Sequence, residues 1–221
     1  MKLIFYSGGF PQENKKLDNK LIEFIDKEDI KLTFIPSSYI GSSEEYLEII
    51  DQYASYGIKK ILKLNIDQPF SQTLKRMAFE SDIIHLGGGN TYYFLKHLKK
   101  IGLFKDLKDF VSRGGILTGL SAGAIIMTNS IDTAGFPSFD KDDNDESIKN
   151  LKGLNLVNFE FFPHYKNSKR YDTELIHYSK QSVYPIYACP DGSGITVNHD
   201  EISFIGKTIC FHRGHKYYLM K

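Results

Sequence analysis

The chain reads as an α/β protein: a mostly parallel sheet flanked by helices in three layers, with antiparallel hairpins at the carboxyl end. Three observations lead there. Short β-rich runs alternate with stretches of helical periodicity up to about residue 128, the pattern of parallel strands joined by crossover helices. The apolar run Gly115-Ile-Leu-Thr118 passes through Gly119-Leu-Ser-Ala-Gly123 directly into the helix-like run Ala124-Ile-Ile-Met127. After Gly192 the chain breaks into short runs punctuated by Asn198-His-Asp200, Gly206 and Gly214, the spacing of hairpins.

Lys2 to Tyr6 predicts the first strand, and Leu17, Leu21, Phe24 and Ile25 then fall at helical spacing. Lys31 to Ile35 is the second strand. Ser42 with Glu45 has the form of a capping box ahead of Leu47, Ile50 and Ala54, so a second helix is expected to begin there. Ile58 to Leu64 returns to the sheet, Ser71 to Glu80 makes a third helix, and Asp82 to Leu86 a fourth strand. Gly87-Gly-Gly-Asn90 follows that strand, and a helix carrying Leu95 and Leu98 follows the glycines, with another over Leu103 to Ser112. Residues 129–150, with Gly135, Pro137 and the run Asp140-Lys-Asp-Asp-Asn-Asp-Glu146, form a surface loop. Leu156 to Phe162 is a strand ending at Pro163-His164, Lys169 to Ser182 a polar helix, and Tyr184 to Ala188 a further strand. Gly194 to Val197, Ile202 to Ile205, Thr208 to Phe211 and Lys216 to Leu219 complete the hairpins.

At 221 residues, with 41% hydrophobic and 25% charged, the chain can bury one substantial core, and no linker divides it; residues 1–221 are expected to form a single domain. Lys and Arg total 28 against 27 for Asp and Glu, and no basic stripe stands out, so nucleic acid and membrane surface lack their electrostatic footprint. No apolar run reaches the roughly 18 residues of a membrane helix. Two cysteines, Cys189 and Cys210, cannot make a disulfide framework, and Met1 to Tyr6 is too short for a signal peptide; a cytoplasmic setting is expected.

Ser121 carries the chemistry. A strand turning abruptly into a helix holds the central serine exposed at the sheet rim, with small residues two positions to either side. The amide of Ala122, at the helix start, then points where an oxyanion would form. Loops at the carboxyl ends of parallel strands converge on one crevice, and Gly87-Gly-Gly-Asn90, Ser121, His164 and Asp191 each directly follow an apolar run. A serine hydroxyl needs an imidazole to take its proton and a carboxylate to orient that imidazole. His85 lies within a strand, whereas His164 follows one and is preferred as the base. Asp191 is the first choice for the acid, although Asp191-Gly192 is also an ordinary turn dipeptide; Asp140 and Asp132 are the alternatives. Gly88 or Gly89 supplies the second oxyanion donor beside Ala122. Asn90 is a candidate both to cap the next helix and to face substrate.

No metal is assigned. Asp140, Asp142 and Asn144 match the opening of a calcium loop, but Asp145 stands where the turn glycine belongs and Leu151 where the bidentate glutamate belongs. His212-Arg-Gly-His215 has no acidic or cysteine partners. The triple glycine lacks both the dinucleotide spacing and the Lys-Ser/Thr of a phosphate loop.

Together Gly87-Gly-Gly-Asn-Thr91, Gly119-Leu-Ser-Ala-Gly-Ala124, Phe162-Pro-His-Tyr165 and Cys189-Pro-Asp-Gly192 resemble the serine peptidase family that contains dipeptidase E and cyanophycinase, in matching order over nearly the whole chain. The resemblance implies a fold like the class I glutamine amidotransferases, no cofactor, and hydrolysis of short peptides next to an aspartyl residue. It assigns Ser121 as nucleophile, His164 as base, and Asp191 to the position at which dipeptidase E uses a glutamate. Preference for an N-terminal aspartate requires a cation near the site, for which Arg170 is the candidate, with Lys166 and Lys169 behind it. The expected partner is therefore a small peptide, with homodimer formation left open. An esterase or acyltransferase using the same elbow, and a ligand-binding homologue without turnover, are the competing readings.

Overall fold

The computed structural model describes residues 1–219. In chain order its elements are β1 (Lys2–Tyr6), α1 (Pro11–Phe24), β2 (Lys31–Ile35), α2 (Ser42–Ala54), β3 (Lys60–Lys63), α3 (Gln72–Phe79), β4 (Ile83–Leu86), α4 (Thr91–Lys100), α5 (Leu103–Ser112), β5 (Ile116–Leu120) and α6 (Ala122–Met127). There follow β6 (Glu160–Phe162), α7 (Lys169–Ser179), β7 (Ile186–Ala188), β8 (Gly194–Asn198), β9 (Glu201–Ile205), β10 (Thr208–His212) and β11 (His215–Leu219).

Seven strands form the main sheet in the order β3-β2-β4-β5-β1-β8-β9. The first five run parallel; β8 lies antiparallel to β1, and β9 closes a hairpin on it. Parallel strands covered on both faces read as continuous apolar runs, and β1 shows why: Leu3 and Phe5 pack on one face, Ile4 and Tyr6 on the other, and all four are buried. Leu17 and Leu21 of α1 with Ile49 and Tyr53 of α2 cover the second face. Phe94, Leu95 and Leu98 of α4, Leu107 and Phe110 of α5 and the apolar residues of α6 cover the first. The helical spacing of these side chains creates the stripe that each helix buries, and the three layers follow.

Two strands expected from the sequence leave this sheet. β6 and β7 pair parallel to each other, and β10 and β11 extend them into a separate four-stranded sheet, order β11-β10-β7-β6. Phe159 and Phe161 lie against Phe5, with ring centroids 5.1 and 5.6 Å away, so this segment packs on a face of the main sheet rather than along its edge. β6 is also shorter than the apolar run Leu156 to Phe162, because the amides of Gly153, Leu154 and Leu156 bond the carbonyls of Asn129, Ile126 and Met127 at the end of α6. The polar helix α7 stops at Ser179, before the expected Ser182; the hydroxyl of Ser182 donates to Glu160 and accepts from the amide of Tyr184. Within the surface loop, Asp132–Gly135 forms a single 3-10 turn.

No helix among the described residues is long and apolar enough to cross a membrane. Both cysteines are free and buried.

Candidate active site

The elbow stands at the carboxyl rim of β5. Ser121 has φ +49° and ψ −108°, a sparsely populated conformation for a residue with a side chain and the kind of strain stored at functional turns. Glycine is required on either side by close approach: a Cβ on Gly119 would lie 2.5 Å from the amide nitrogen of Ala124, and one on Gly123 would lie 2.3 Å from the carbonyl oxygen of Leu86. The turn is pinned by the Ser121 amide donating to the Tyr6 carbonyl (3.0 Å) and the Gly123 amide donating to the Gly87 carbonyl (3.1 Å).

The other two side chains arrive from the small sheet. Because β6 and β7 run parallel with Phe162 opposite Ala188, the residues that follow them, His164 and Asp191, emerge side by side. His164 Nε2 lies 2.8 Å from Ser121 Oγ, and His164 Nδ1 lies 2.7 Å from Asp191 Oδ1. A carboxylate can only accept, so Nδ1 carries the hydrogen and Nε2 is left to accept from the serine hydroxyl. The three side chains singled out from the sequence are thus joined in one hydrogen-bonded line.

A brace behind the imidazole comes from a segment distant in sequence. His164 has φ +54°, and its amide donates to Ser7 Oγ at 2.8 Å. The Ser7 hydroxyl in turn donates to the carbonyl of Cys189 at 2.6 Å. One buried hydroxyl therefore fixes the segments that carry the base and the acid. The next residue, Gly8, lies under the imidazole, and its carbonyl accepts from the Gly192 amide at 3.0 Å. Ser7-Gly8-Gly9 directly follows β1 at the same rim, and that placement was the available sequence signal.

The triple glycine packs beside the elbow, with the Cβ position of Gly88 3.9 Å from Ser121 Cβ. Its two candidate donors differ. The Gly88 amide donates to Glu45 Oε1 at 3.3 Å, whereas the amides of Gly89 and Ala122 make no hydrogen bond among the described residues. Glu45 thus does not close the capping box expected with Ser42: Gly41 occupies the N-cap position, and the Ser42 hydroxyl donates to the Tyr39 carbonyl. Burial pushes the carboxyl of Glu45 above its ordinary value.

A cleft of about 500 Å³ opens beside Ser121 and His164, bounded by Phe136, Asp140, Lys166 and Tyr171. The alternative acids do not reach the imidazole: Asp140 accepts from the hydroxyl of Tyr171, and Asp132 accepts from that of Ser130. Asn90 is committed to structure, its Oδ1 capping α4 at the Tyr93 amide (2.9 Å) and its Nδ2 donating to the Asp143 carbonyl (2.8 Å). Arg170 lies outside the cleft lining, its guanidinium 3.7 Å above the ring of Phe139. Lys169 is likewise absent from the lining, which leaves Lys166 as the candidate cation that faces the cleft.

His85 is buried in β4, its Nδ1 within hydrogen-bond reach of both the Tyr53 hydroxyl (3.0 Å) and the Thr118 hydroxyl (2.7 Å). Burial pushes its pKa down to about 3. The acidic run disperses rather than converging: Asp142 accepts from the Thr91 amide and Glu146 pairs with Lys96. No group of three or more His, Cys, Asp or Glu among the described residues is placed to hold a metal ion.

A serine, histidine and aspartate in line at a strand-to-helix turn, beside two free amides, are the features by which elbow-type serine hydrolases are recognised. Comparison with known proteins narrows that class, for the model of peptidase family S51 matches residues 3–205, and the chain belongs to that family. The chain is 31% identical over 122 residues to the uncharacterized peptidase YgaJ of Bacillus subtilis (strain 168), covering 53% of this chain and 52% of the relative. It is 28% identical over 199 residues to a peptidase E of Shewanella sp. (strain W3-18-1), covering 80% and 75%. The matched segments span between about half and two thirds of the length of several such relatives. A crystal structure of a candidate peptidase E from Listeria monocytogenes EGD-e shares the fold, with TM-score 0.73 and 24% identity over 92% of this chain and 96% of that one.

Proposed function

We propose that the protein is a serine peptidase that hydrolyses short peptides through an acyl-enzyme. The observation that carries this reading is the line of hydrogen bonds from Ser121 Oγ through the His164 ring to Asp191. Ser121 Oγ attacks the peptide carbonyl while its proton passes to His164 Nε2, and Asp191 holds the ring in the required tautomer and stabilises the imidazolium. The tetrahedral oxyanion is received by the amides of Gly89 and Ala122, the latter strengthened by its place at the first turn of α6. Collapse of the intermediate breaks the C–N bond, and Nε2–H delivers the proton to the departing amine. Water, deprotonated by the same nitrogen, then attacks the acyl ester and restores the Ser121 hydroxyl.

The substrate we favour is a dipeptide with an N-terminal aspartate. Lys166 in the cleft wall supports it by offering an ammonium to the substrate carboxylate, taking the role first considered for Arg170. Relatives named peptidase E support the peptidase reading itself. The two free buried thiols suit a cytoplasmic setting. Turnover of a dipeptide library, with short acyl esters in parallel, tests the reading: cleavage concentrated on Asp-initiated dipeptides is expected, and ester turnover without peptide cleavage would replace peptidase by esterase.

A further inference from the structure

A carboxylate pointing at the backbone of an oxyanion site is unexpected, because negative charge there opposes the charge that develops in the reaction. Its contact explains it. The peptide unit joining Gly87 and Gly88 is held at both ends: its carbonyl accepts from the Gly123 amide (3.1 Å) in α6, and its N–H donates to Glu45 Oε1 (3.3 Å) in α2. The first contact ties the loop to the helix that follows Ser121, the second to the opposite side of the sheet. A Cβ on Gly87 would lie 2.8 Å from Glu45 Oε1 and 3.1 Å from the Phe34 ring, so the absence of a side chain at 87 is what admits the carboxylate. The adjoining peptide unit, which bears the free amide of Gly89, lies between this clamped unit and Asn90, the fixed cap of α4. Glycine itself imposes almost no conformational preference, so the clamp on Gly88 is one of the two anchors that set its orientation.

We infer that Glu45 is a positioning residue for the oxyanion site, gripping the Gly88 amide so that the Gly89 amide faces the reacting carbonyl. The inference rests on the acyl transfer at Ser121 proposed above. Glu45 touches no reacting atom in this role. What matters is an acceptor oxygen at the right reach, so glutamine is a sound replacement, while aspartate, one methylene shorter, keeps the charge and loses the contact.

The test compares Glu45→Ala, Glu45→Asp and Glu45→Gln with wild type by three readouts: kcat and KM for peptide hydrolysis, the rate at which a fluorophosphonate phosphonylates Ser121, and the proton shift of the Gly88 amide by NMR. Phosphonylation places a P–O oxygen in the same site and reads it whatever the peptide specificity. Loss of an oxyanion donor costs on the order of 10²–10³ in rate, and misorientation costs part of that. The alanine and aspartate variants are expected to lose about tenfold or more in kcat and in phosphonylation rate, with KM within about twofold. The glutamine variant is expected to keep the Gly88 shift and to stay within about threefold of wild type. Wild-type phosphonylation rates in the alanine variant, with the Gly88 shift altered, would overturn the inference, as would a glutamine variant as slow as alanine. Phosphonylation of Ser121 without any peptide cleavage would instead defeat the peptidase reading while the positioning role stayed measurable; failure to phosphonylate wild-type Ser121 would defeat both.

Discussion

The ring of His164 occupies the space that a side chain on Gly8 would fill. A Cβ at Gly8 would stand 2.3 Å from His164 Cε1 and 2.4 Å from Asp191 Oδ1, closer than any non-bonded carbon contact allows. Gly8→Ala is therefore expected to push the imidazole off the line between Ser121 and Asp191. Displacement of about 1 Å costs on the order of 10²-fold in rate, so kcat is expected to fall by about that much or more, with the circular dichroism spectrum retained. Unchanged kcat would show that the ring tolerates another position.

Asp191 Oδ1 accepts from His164 Nδ1, whereas Asp140 accepts from the hydroxyl of Tyr171. Asp191→Asn offers an amide that can present an N–H to Nδ1 and so favours the wrong tautomer, with an expected loss of about 10⁴ in kcat. Asp140→Asn is expected to leave most of the rate. Measurement of kcat for both variants checks the assignment, and equal losses would contradict it.

Much of this architecture was legible beforehand. β1 and β2 fall on apolar runs because both of their faces are covered, and α5 falls where helical spacing places it because it buries one face. Ser121, His164 and Asp191 were legible because each directly follows a strand, and strand ends at one rim must meet. What the sequence concealed is the partition into two sheets, since Phe161 and Phe162 look the same whether β6 joins the main sheet or packs on it. The roles of Ser7 and Glu45 depend on single contacts between segments far apart in the chain, and Ser42 with Glu45 matched a local motif that tertiary contacts overrode. Charge and nearness in sequence point to Arg170, but its guanidinium stacks on the ring of Phe139.

Two cations near the site are placed differently. Lys166 faces the cleft and Arg170 stacks outside it, so Lys166→Met is expected to raise KM for Asp-initiated dipeptides by about tenfold relative to Ala-initiated ones, the scale of a lost charged hydrogen bond. Arg170→Met is expected to change that ratio little. Steady-state kinetics on paired substrates decides it, and the reverse ranking would return the clamp to Arg170.

His85 sets a pH dependence of stability separate from catalysis. Burial lowers its folded pKa from 6.5 to about 3, so as the pH falls the unfolded chain binds the proton first. Its contribution is complete above about pH 6.5 and is lost progressively toward pH 3, at up to about 1.4 kcal/mol per pH unit. Urea unfolding of wild type and His85→Gln across that range is expected to show a flatter curve for the variant. Parallel curves would show that His85 is not held neutral in the fold.

The central claim is that Ser121 forms a covalent acyl intermediate with its proton on His164. The direct measurement is single-turnover hydrolysis of an Asp-initiated dipeptide anilide by wild type and Ser121→Ala, with tryptic-peptide masses recorded after acid quench. Wild type is expected to gain the mass of the acyl group on the tryptic peptide containing Ser121, and the variant to lose on the order of 10⁶ in kcat with no adduct and an unchanged melting temperature. Turnover by Ser121→Ala at the wild-type rate would contradict the account.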